Sequence, residues 1–232
     1  SRARASHTSL AAAMRSGWSV HESVGDAGDF HSADPLPVRS ATFHMVEART
    51  LVLGSAQRET DVARRVAEAL GVAVVRRRSG GGAVLLVPGE FVWLDLVIPA
   101  DDVLWSDDIS KAMEWVGELW QRALGDLGMA SDVQVAARSA NARWARQVCF
   151  AGVGRGEVLV GERKVVGVSQ RRTRAFARFQ SLCHLRWRPE LVAALVASPR
   201  PLAPELAQSV RTVAFPAEDI RAALLRCVVA SR

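Results

Sequence analysis

Arg76-Arg77-Arg78-Ser79-Gly80-Gly81-Gly82-Ala83-Val84 is the stretch that most limits what this chain can fold into. Three adjacent glycines carry no Cβ, so the backbone can take positive φ, approach a neighbour closely and converge its N–H groups on an anion. The three arginines ahead of them add charge that does not titrate away. The loop leaves a largely β-branched run, Val72-Ala73-Val74-Val75, and enters a second apolar run at residues 83–87, so it joins strands. Rossmann and P-loop sites need a helix N-terminus straight after their glycines, and neither GxGxxG nor GxxxxGK[ST] is present. Alone, the loop reads either as an anion nest or as a flexible hairpin tip on a basic surface.

The segment before it, residues 48–57, holds a short apolar strand ending in a Gly54-Ser55 turn and the polar Gln57. Thr60 or Asp61 is placed to cap a helix over Val62, Val66, Ala69 and Leu70, with Gly71 at its C′ position. After the glycines, residues 83–87 and 91–98 are strand candidates separated by Pro88-Gly89-Glu90, a hairpin signal. Ser106-Asp107-Asp108 caps the longest helix, whose apolar positions recur at a helical period up to Leu127 and which glycines 125 and 128 stop. Residues 132–136 form a further strand, and 138–146 a basic turn-like connection. A hairpin follows, with residues 157–160 and 164–170 around Gly161-Glu162. Lys164 opens its second strand, Val166 and Val168 on its face, Val165 and Gly167 on the other. Residues 171–178 read as a basic loop, 181–187 as the last strand, and 189–196 and 216–229 as helices joined by a Pro-rich connector. Residues 25–38, with Pro35 and Pro37, read as an irregular loop. His21, His31 and His44 lack metal-ligand spacing, and no metal site is expected.

The length, 232 residues, suits one domain over residues 18–232 behind a disordered, Ser/Ala/Arg-rich arm over 1–17, with no separate accessory domain. No apolar run approaches a membrane span, and Cys149, Cys183 and Cys227 show neither zinc nor disulfide spacing, so a soluble cytoplasmic protein is expected. The net charge of +6 favours an acidic partner. Nucleic acid is disfavoured, because the chain has no tyrosine and its tryptophans are scattered singly.

Three pieces, in order and spacing, resemble the lipoate-protein ligase and octanoyltransferase family, within the biotin/lipoate ligase superfamily. Val52-Leu53-Gly54-Ser55-Ala56-Gln57 is similar to its strand-and-glutamine motif. Residues 76–84 fit its RRxSGGGAV signature, and Lys164-Val165-Val166-Gly167-Val168-Ser169-Gln170 with Arg171 and Arg172 is similar to its lysine segment. The resemblance implies an α+β fold, a mixed, mainly antiparallel sheet flanked by helices. It implies an enzyme that activates lipoate or octanoate with ATP and Mg2+ as an acyl-AMP and passes the acyl group to a lysine on a lipoyl acceptor domain. Acceptors would be those of 2-oxoacid dehydrogenases or the glycine cleavage H protein. Lys164 would contact the activated carbonyl; Gln57, Arg76, Arg77, Ser79, Gly80, Gly81, Gly82, Ala83, Val84, Gly167 and Ser169 would hold the acyl-AMP.

Departures from the pattern open a second mechanism. Where ligases of the family carry His-Asp and two Asn, this chain has Leu86, Val87, Glu90 and Val92, and Phe179-Gln180 replaces a His-Gly pair. Cys149 lies fifteen residues before Lys164, a placement similar to the nucleophilic cysteine of octanoyltransferases that take octanoate from acyl carrier protein as a thioester. Cys149 is either that nucleophile or simply buried. A third alternative is a non-catalytic acyl-binding relative.

Overall fold

The computed structural model describes residues 17–135 and 142–231. The expected arm over 1–17 lies outside these except for Gly17, as does part of the basic connection around 138–146. Strands are β1 (Ser19–Gly25), β2 (Ser40–Val46), β3 (Thr50–Leu53), β4 (Ala73–Arg76), β5 (Val84–Leu86), β6 (Phe91–Pro99), β7 (Asp132–Val133), β8 (Val158–Val160), β9 (Arg163–Arg172) and β10 (Phe176–His184). Helices are α1 (Ala27–Ser32), α2 (Arg64–Ala69), α3 (Ile109–Asp126), α4 (Ala142–Ala145), α5 (Pro189–Leu195), α6 (Ala203–Ala207) and α7 (Ala217–Ala230).

A seven-stranded sheet runs β1-β2-β6-β10-β9-β8-β7, and a three-stranded sheet runs β4-β3-β5. Two pairs, β1/β2 and β3/β4, are parallel; the others are antiparallel. This is the expected α+β architecture.

The central strand β6 is buried along its whole length because both of its faces are covered. Its even positions, Val92, Leu94, Leu96 and Ile98, pack with Val116, Leu119 and Trp120 of α3 and Ile220 and Leu224 of α7. Phe91 and Trp93 instead pack with Val52, Leu86 and Phe150, beneath the small sheet. Each fully buried side chain of this size contributes about 1.5–3 kcal/mol. The α3 N-terminus follows its sequence signal: the Asp108 carboxylate accepts from Ser110 N and Lys111 N at 2.8 and 3.2 Å. Trp120 Nε1 then donates to Ser181 Oγ at 2.8 Å, locking α3 to β10.

Four expectations need correction. Neither Thr60 nor Asp61 caps α2: both lie in a separate 3-10 turn over Glu59–Asp61, and α2 starts after Ala63, which makes no side-chain capping bond. Residues 25–38 are not wholly irregular: Asp26 caps the short α1 by accepting from Gly28 N and Asp29 N, and His31 is buried. Pro88-Gly89-Glu90 does not close a hairpin, because β5 pairs with β3 while β6 joins the large sheet, so the turn carries the chain from one sheet to the other. The last strand starts at Phe176, inside the expected basic loop, because Ala177 and Phe179 fill the helix-side core and Arg178 meets a buried carboxylate.

The glycine loop is pressed onto its surroundings. A Cβ on Gly54 would lie 1.9 Å from the Gly81 carbonyl oxygen, and one on Gly82 would lie 2.7 Å from the Val148 and Cys149 backbone. Neither neighbour is a flexible side chain, so Gly54→Ala is expected to destabilise the protein by about 1–3 kcal/mol through overpacking. A shift of the urea midpoint with an unchanged m-value checks this; an unchanged midpoint would contradict the close approach.

Candidate active site

The site forms where the end of β3, the glycine loop, the segment 147–150 and β9 meet. Ala83 N donates to Gln147 O at 2.8 Å and Cys149 N to Ala83 O at 3.0 Å, which fixes the cysteine against the loop. Gln57 is part of the same brace. Its Oε1 accepts from Gly54 N at 3.0 Å and its Nε2 donates to Gln147 O at 3.1 Å.

The arginines do not share one role. Arg77 turns inward and is buried beneath the glycines, donating to Gly80 O at 2.7 Å, Gly82 O at 2.8 Å and Val52 O at 3.3 Å. Burial holds its guanidinium below the ordinary arginine value, and the negative charge of a Cys149 thiolate would act the other way. Arg76 reaches back to Gly54 O and Gln57 O, and Arg78 ion-pairs with Asp34, which Arg171 also engages. Ser79 Oγ donates to Ser169 Oγ at 3.1 Å, tying the loop to β9.

Two adjoining cavities result. The inner one spans about 450 Å3, part of it open to solvent, and is mostly apolar, with Val52, Val84, Leu86, Phe150 and Leu182 in its wall and Gly167 at one side. The outer one has about 780 Å3 and is walled by Gly80, Gly81, Gly82, Gly152, Gly154 and Lys164. Cys149, Val168 and Ser169 belong to both, so the half-buried Cys149 thiol stands at their junction. A Cβ on Gly81 would come within 3.9 Å of its Sγ. Gly167 has no side chain because Phe150 lies across it, only 3.2 Å from where a Cβ would sit. Of the other residues singled out in sequence, Gln57, Arg76, Ser79 and Ala83 line neither cavity and act as supports.

Lys164 is buried and fully engaged. Its Nζ donates to Cys149 O at 2.7 Å and to Glu157 Oε1 at 2.9 Å, with Oε2 at 2.7 Å. Glu157 Oε2 also accepts from Gly154 N at 2.6 Å. A bulge at Val158/Leu159 accompanies the β8/β9 pairing, and the ammonium lies 5.2 Å from the Phe150 ring on the cavity side. Simple alternation, which groups Lys164 with the core-filling Val166 and Val168, does not describe where its charge goes.

On β6 and β10, next to cavity-lining Trp93 and Gln180, lies a polar cluster that motif reading missed. Asp95 accepts from Arg178 Nε at 2.8 Å and Trp93 Nε1 at 2.6 Å, and lies 3.2 Å from His44 Nε2. Burial would raise this carboxyl, but the His44 hydrogen bond and the Arg178 charge outweigh it and bring it to about 2. The available signal was a lone charge inside the otherwise apolar residues 91–98, which requires a buried partner. Glu157 offered a weaker signal, an acid abutting an apolar strand.

Two buried imidazoles make the protein acid-sensitive. Burial pushes His31 down to about 4 and His184 down to about 3. Both sit below the unfolded value near 6.5, so the unfolded chain takes up protons first and stability falls as pH drops below about 6.5. With two such groups the loss approaches about 2.7 kcal/mol per pH unit between pH 6 and 4. Denaturant titrations across that range check this, and His184→Phe should halve the slope if folding is kept.

A magnesium-bound nucleotide requires oxygen ligands from the side chains around it. Leu86, Val87 and Val92 have no ligating atom, and Glu90 is held by Arg188 Nε at 2.9 Å. These residues do not fit the metal, and no step is routed through it.

This two-sheet frame places a cysteine and an ion-paired lysine between a glycine loop and an apolar cavity. Residues 33–213 match the family model described as the lipoyl protein ligase A/B catalytic domain, and the chain belongs to that family. It is accordingly an enzyme of the ligase/transferase type. Among solved structures, it is similar to the putative lipoate protein ligase from T. acidophilum with bound lipoic acid, with a TM-score of 0.67 at 17 % identity over 89 % of this chain and 80 % of that one. It is similar to lipoate-protein ligase A bound with ATP at 0.67 and 17 %, over 90 % and 82 %. A bipartite lipoate protein ligase with its E2 lipoyl domain, from Thermoplasma acidophilum, matches at 0.69 and 17 %, over 89 % and 80 %. At these identities the structures speak for the fold. The search of curated proteins returned no match. Among the described residues no helix is long and apolar enough to cross a membrane.

Proposed function

We propose that this protein is a cysteine-dependent acyltransferase that moves a lipoyl or octanoyl group from an acyl-protein thioester, such as acyl carrier protein, to a lysine of a lipoyl acceptor domain. One observation carries the reading: Cys149 stands at the junction of an apolar cavity and an open, glycine-walled one. The chain would fill the inner cavity, each buried methylene contributing about 0.8 kcal/mol. Donor and acceptor would enter in turn through the outer cavity.

In the first step Cys149 Sγ attacks the donor's thioester carbonyl, the acyl–sulfur bond to the donor breaks, and the donor leaves as its thiol with the proton. In the second, a neutral acceptor lysine amine attacks the Cys149 thioester. The amide forms, the carbon–Sγ bond breaks, and the amine proton restores the thiol. Lys164 holds the Cys149 carbonyl, and Glu157 holds Lys164, so the pair fixes the backbone that carries the nucleophile. The buried Arg77 guanidinium adds positive potential where charge develops. The acceptor is expected to be an acidic lipoyl domain, attracted by exposed arginines at 78, 143, 146 and 174.

A second reading, an ATP-dependent ligase forming acyl-AMP, is favoured by Ser79-Gly80-Gly81-Gly82, the ligase form of the loop, and by similarity to a ligase bound with ATP. Against it, the glycine-loop arginines are committed to backbone carbonyls, Glu59 and Asp34. Pyrophosphate exchange in the presence of ATP, Mg2+ and octanoate or lipoate separates the two. The transferase reading expects none, and acyl-dependent exchange would establish the ligase.

A further inference from the structure

The segment that carries Cys149 is braced on two sides, and only one of them belongs to the glycine loop. On the other side runs a strap, residues 197–213, which includes α6 and contains none of the motif residues. Gln147 Nε2 donates to Pro199 O at 2.7 Å, and Trp144 Nε1 donates to Glu205 Oε1 at 3.1 Å. Trp144 and Val148 also pack in one apolar cluster with Leu206, which is fully buried. Glu205 Oε2 accepts from Leu202 N at 2.7 Å, and these two N–H donors hold its carboxyl below the ordinary glutamate value, so it stays an acceptor.

The same strap grips Lys164. Lys164 N donates to Ser209 O and Arg211 N donates to Lys164 O, both at 2.9 Å, which places Val210 beside the start of β9. Because Lys164 Nζ donates to Cys149 O, a closed circuit results: from the strap to residues 144–147, on to Cys149, across to Lys164 and back to the strap. The strap is anchored elsewhere in the fold, with Trp187 Nε1 donating to Leu206 O at 3.0 Å, Val213 N to His184 O at 3.0 Å and Ala197 N to Asp61 O at 2.9 Å. Both members of the Cys149–Lys164 contact therefore hang on one frame. A displacement of about 1 Å between reacting groups can cost 100-fold in rate, so a frame of this kind bears on chemistry as well as on stability.

We propose that this strap sets the placement of the Cys149 nucleophile relative to Lys164, with Gln147 and Glu205 as positioning residues that act through Pro199 and Trp144 and line neither cavity. The proposal rests on Cys149 being the nucleophile. Single-turnover acylation of Cys149 by octanoyl acyl carrier protein, with urea unfolding of the same full-length proteins, tests it. Gln147→Met keeps the backbone carbonyl that accepts from Ala83 N and removes the side-chain bond to Pro199. This variant and Glu205→Ala are each expected to lower the saturating acylation rate about tenfold, while the half-saturating donor concentration stays within about twofold of native. Glu205→Gln still offers Trp144 an acceptor and should bring the rate back to within about threefold. Saturating rates within about twofold of native in both Gln147→Met and Glu205→Ala, whatever their urea midpoints, would overturn the proposal and leave the strap a structural support. A raised half-saturating concentration with an unchanged rate would overturn it too, assigning the strap to donor binding. If the native protein takes no acyl group on Cys149, the nucleophile reading itself fails and the inference falls with it. Should Glu205→Ala not fold, Gln147→Met decides.

Discussion

Replacing Cys149 with serine is expected to lower acyl transfer to the acceptor by at least about 1,000-fold, as removal of a covalent nucleophile generally does. Serine is nearly isosteric, and Cys149 is only half-buried, so the folded state and its melting temperature should barely change. The backbone that Lys164 holds is also unaffected, because Lys164 contacts the Cys149 carbonyl and not its side chain. Loss of rate with retained binding of free acyl acid is therefore the predicted pattern. A Cys149→Ser protein that transfers acyl groups at the native rate would assign the chemistry to Lys164 and the adenylate route.

The second large effect concerns Glu157 and Lys164, whose side chains are 5 % and 2 % exposed. Removing one partner of a buried ion pair leaves an uncompensated charge and costs about 3–5 kcal/mol, whereas replacing both by apolar groups is often nearly neutral. Glu157→Leu should therefore destabilise strongly, with Lys164 left facing apolar Phe150 and a single carbonyl. The double variant Glu157→Leu, Lys164→Met should recover most of that stability but not the activity. The charge-removing but shape-keeping Glu157→Gln separates roles: it still accepts a hydrogen bond, so it should fold better than Glu157→Leu while lowering kcat more than it raises KM. Urea unfolding and steady-state kinetics on the native protein, these three variants and the single Lys164→Met variant check this. Additive losses in the double variant would show that the pair is not energetically coupled.

Much of the frame was legible because local rules and tertiary demands agreed. Asp108 capped α3 where its signal lay, Gly71 took positive φ at the end of α2, and the glycine loop joined strands. Expectations missed where long-range partners overrode local chemistry. The basic run 171–178 reads as a loop until one sees that Arg178 serves a buried aspartate 83 residues away. Pro88-Gly89-Glu90 looks like a hairpin because turn chemistry does not record which sheet each strand will join.

The site divides along the same line. Residues carried by the resemblance converge on the glycine loop and β9, but Gln57, Arg76 and Ser79 turn out to brace it. Glu157 and the Asp95 cluster have no motif, because their meaning depends on pairings across 7 and 83 residues. The two corners of the molecule that hold them are where sequence spacing carries least information.

Intact-protein and peptide mass spectrometry after brief incubation with octanoyl or lipoyl acyl carrier protein, without ATP, tests the central claim most directly. The account predicts one acyl group on the peptide containing Cys149, cleaved by hydroxylamine and lost when a lipoyl acceptor domain is added. An unmodified protein under these conditions, together with acyl-AMP formed when ATP, Mg2+ and free acid are supplied, would contradict it.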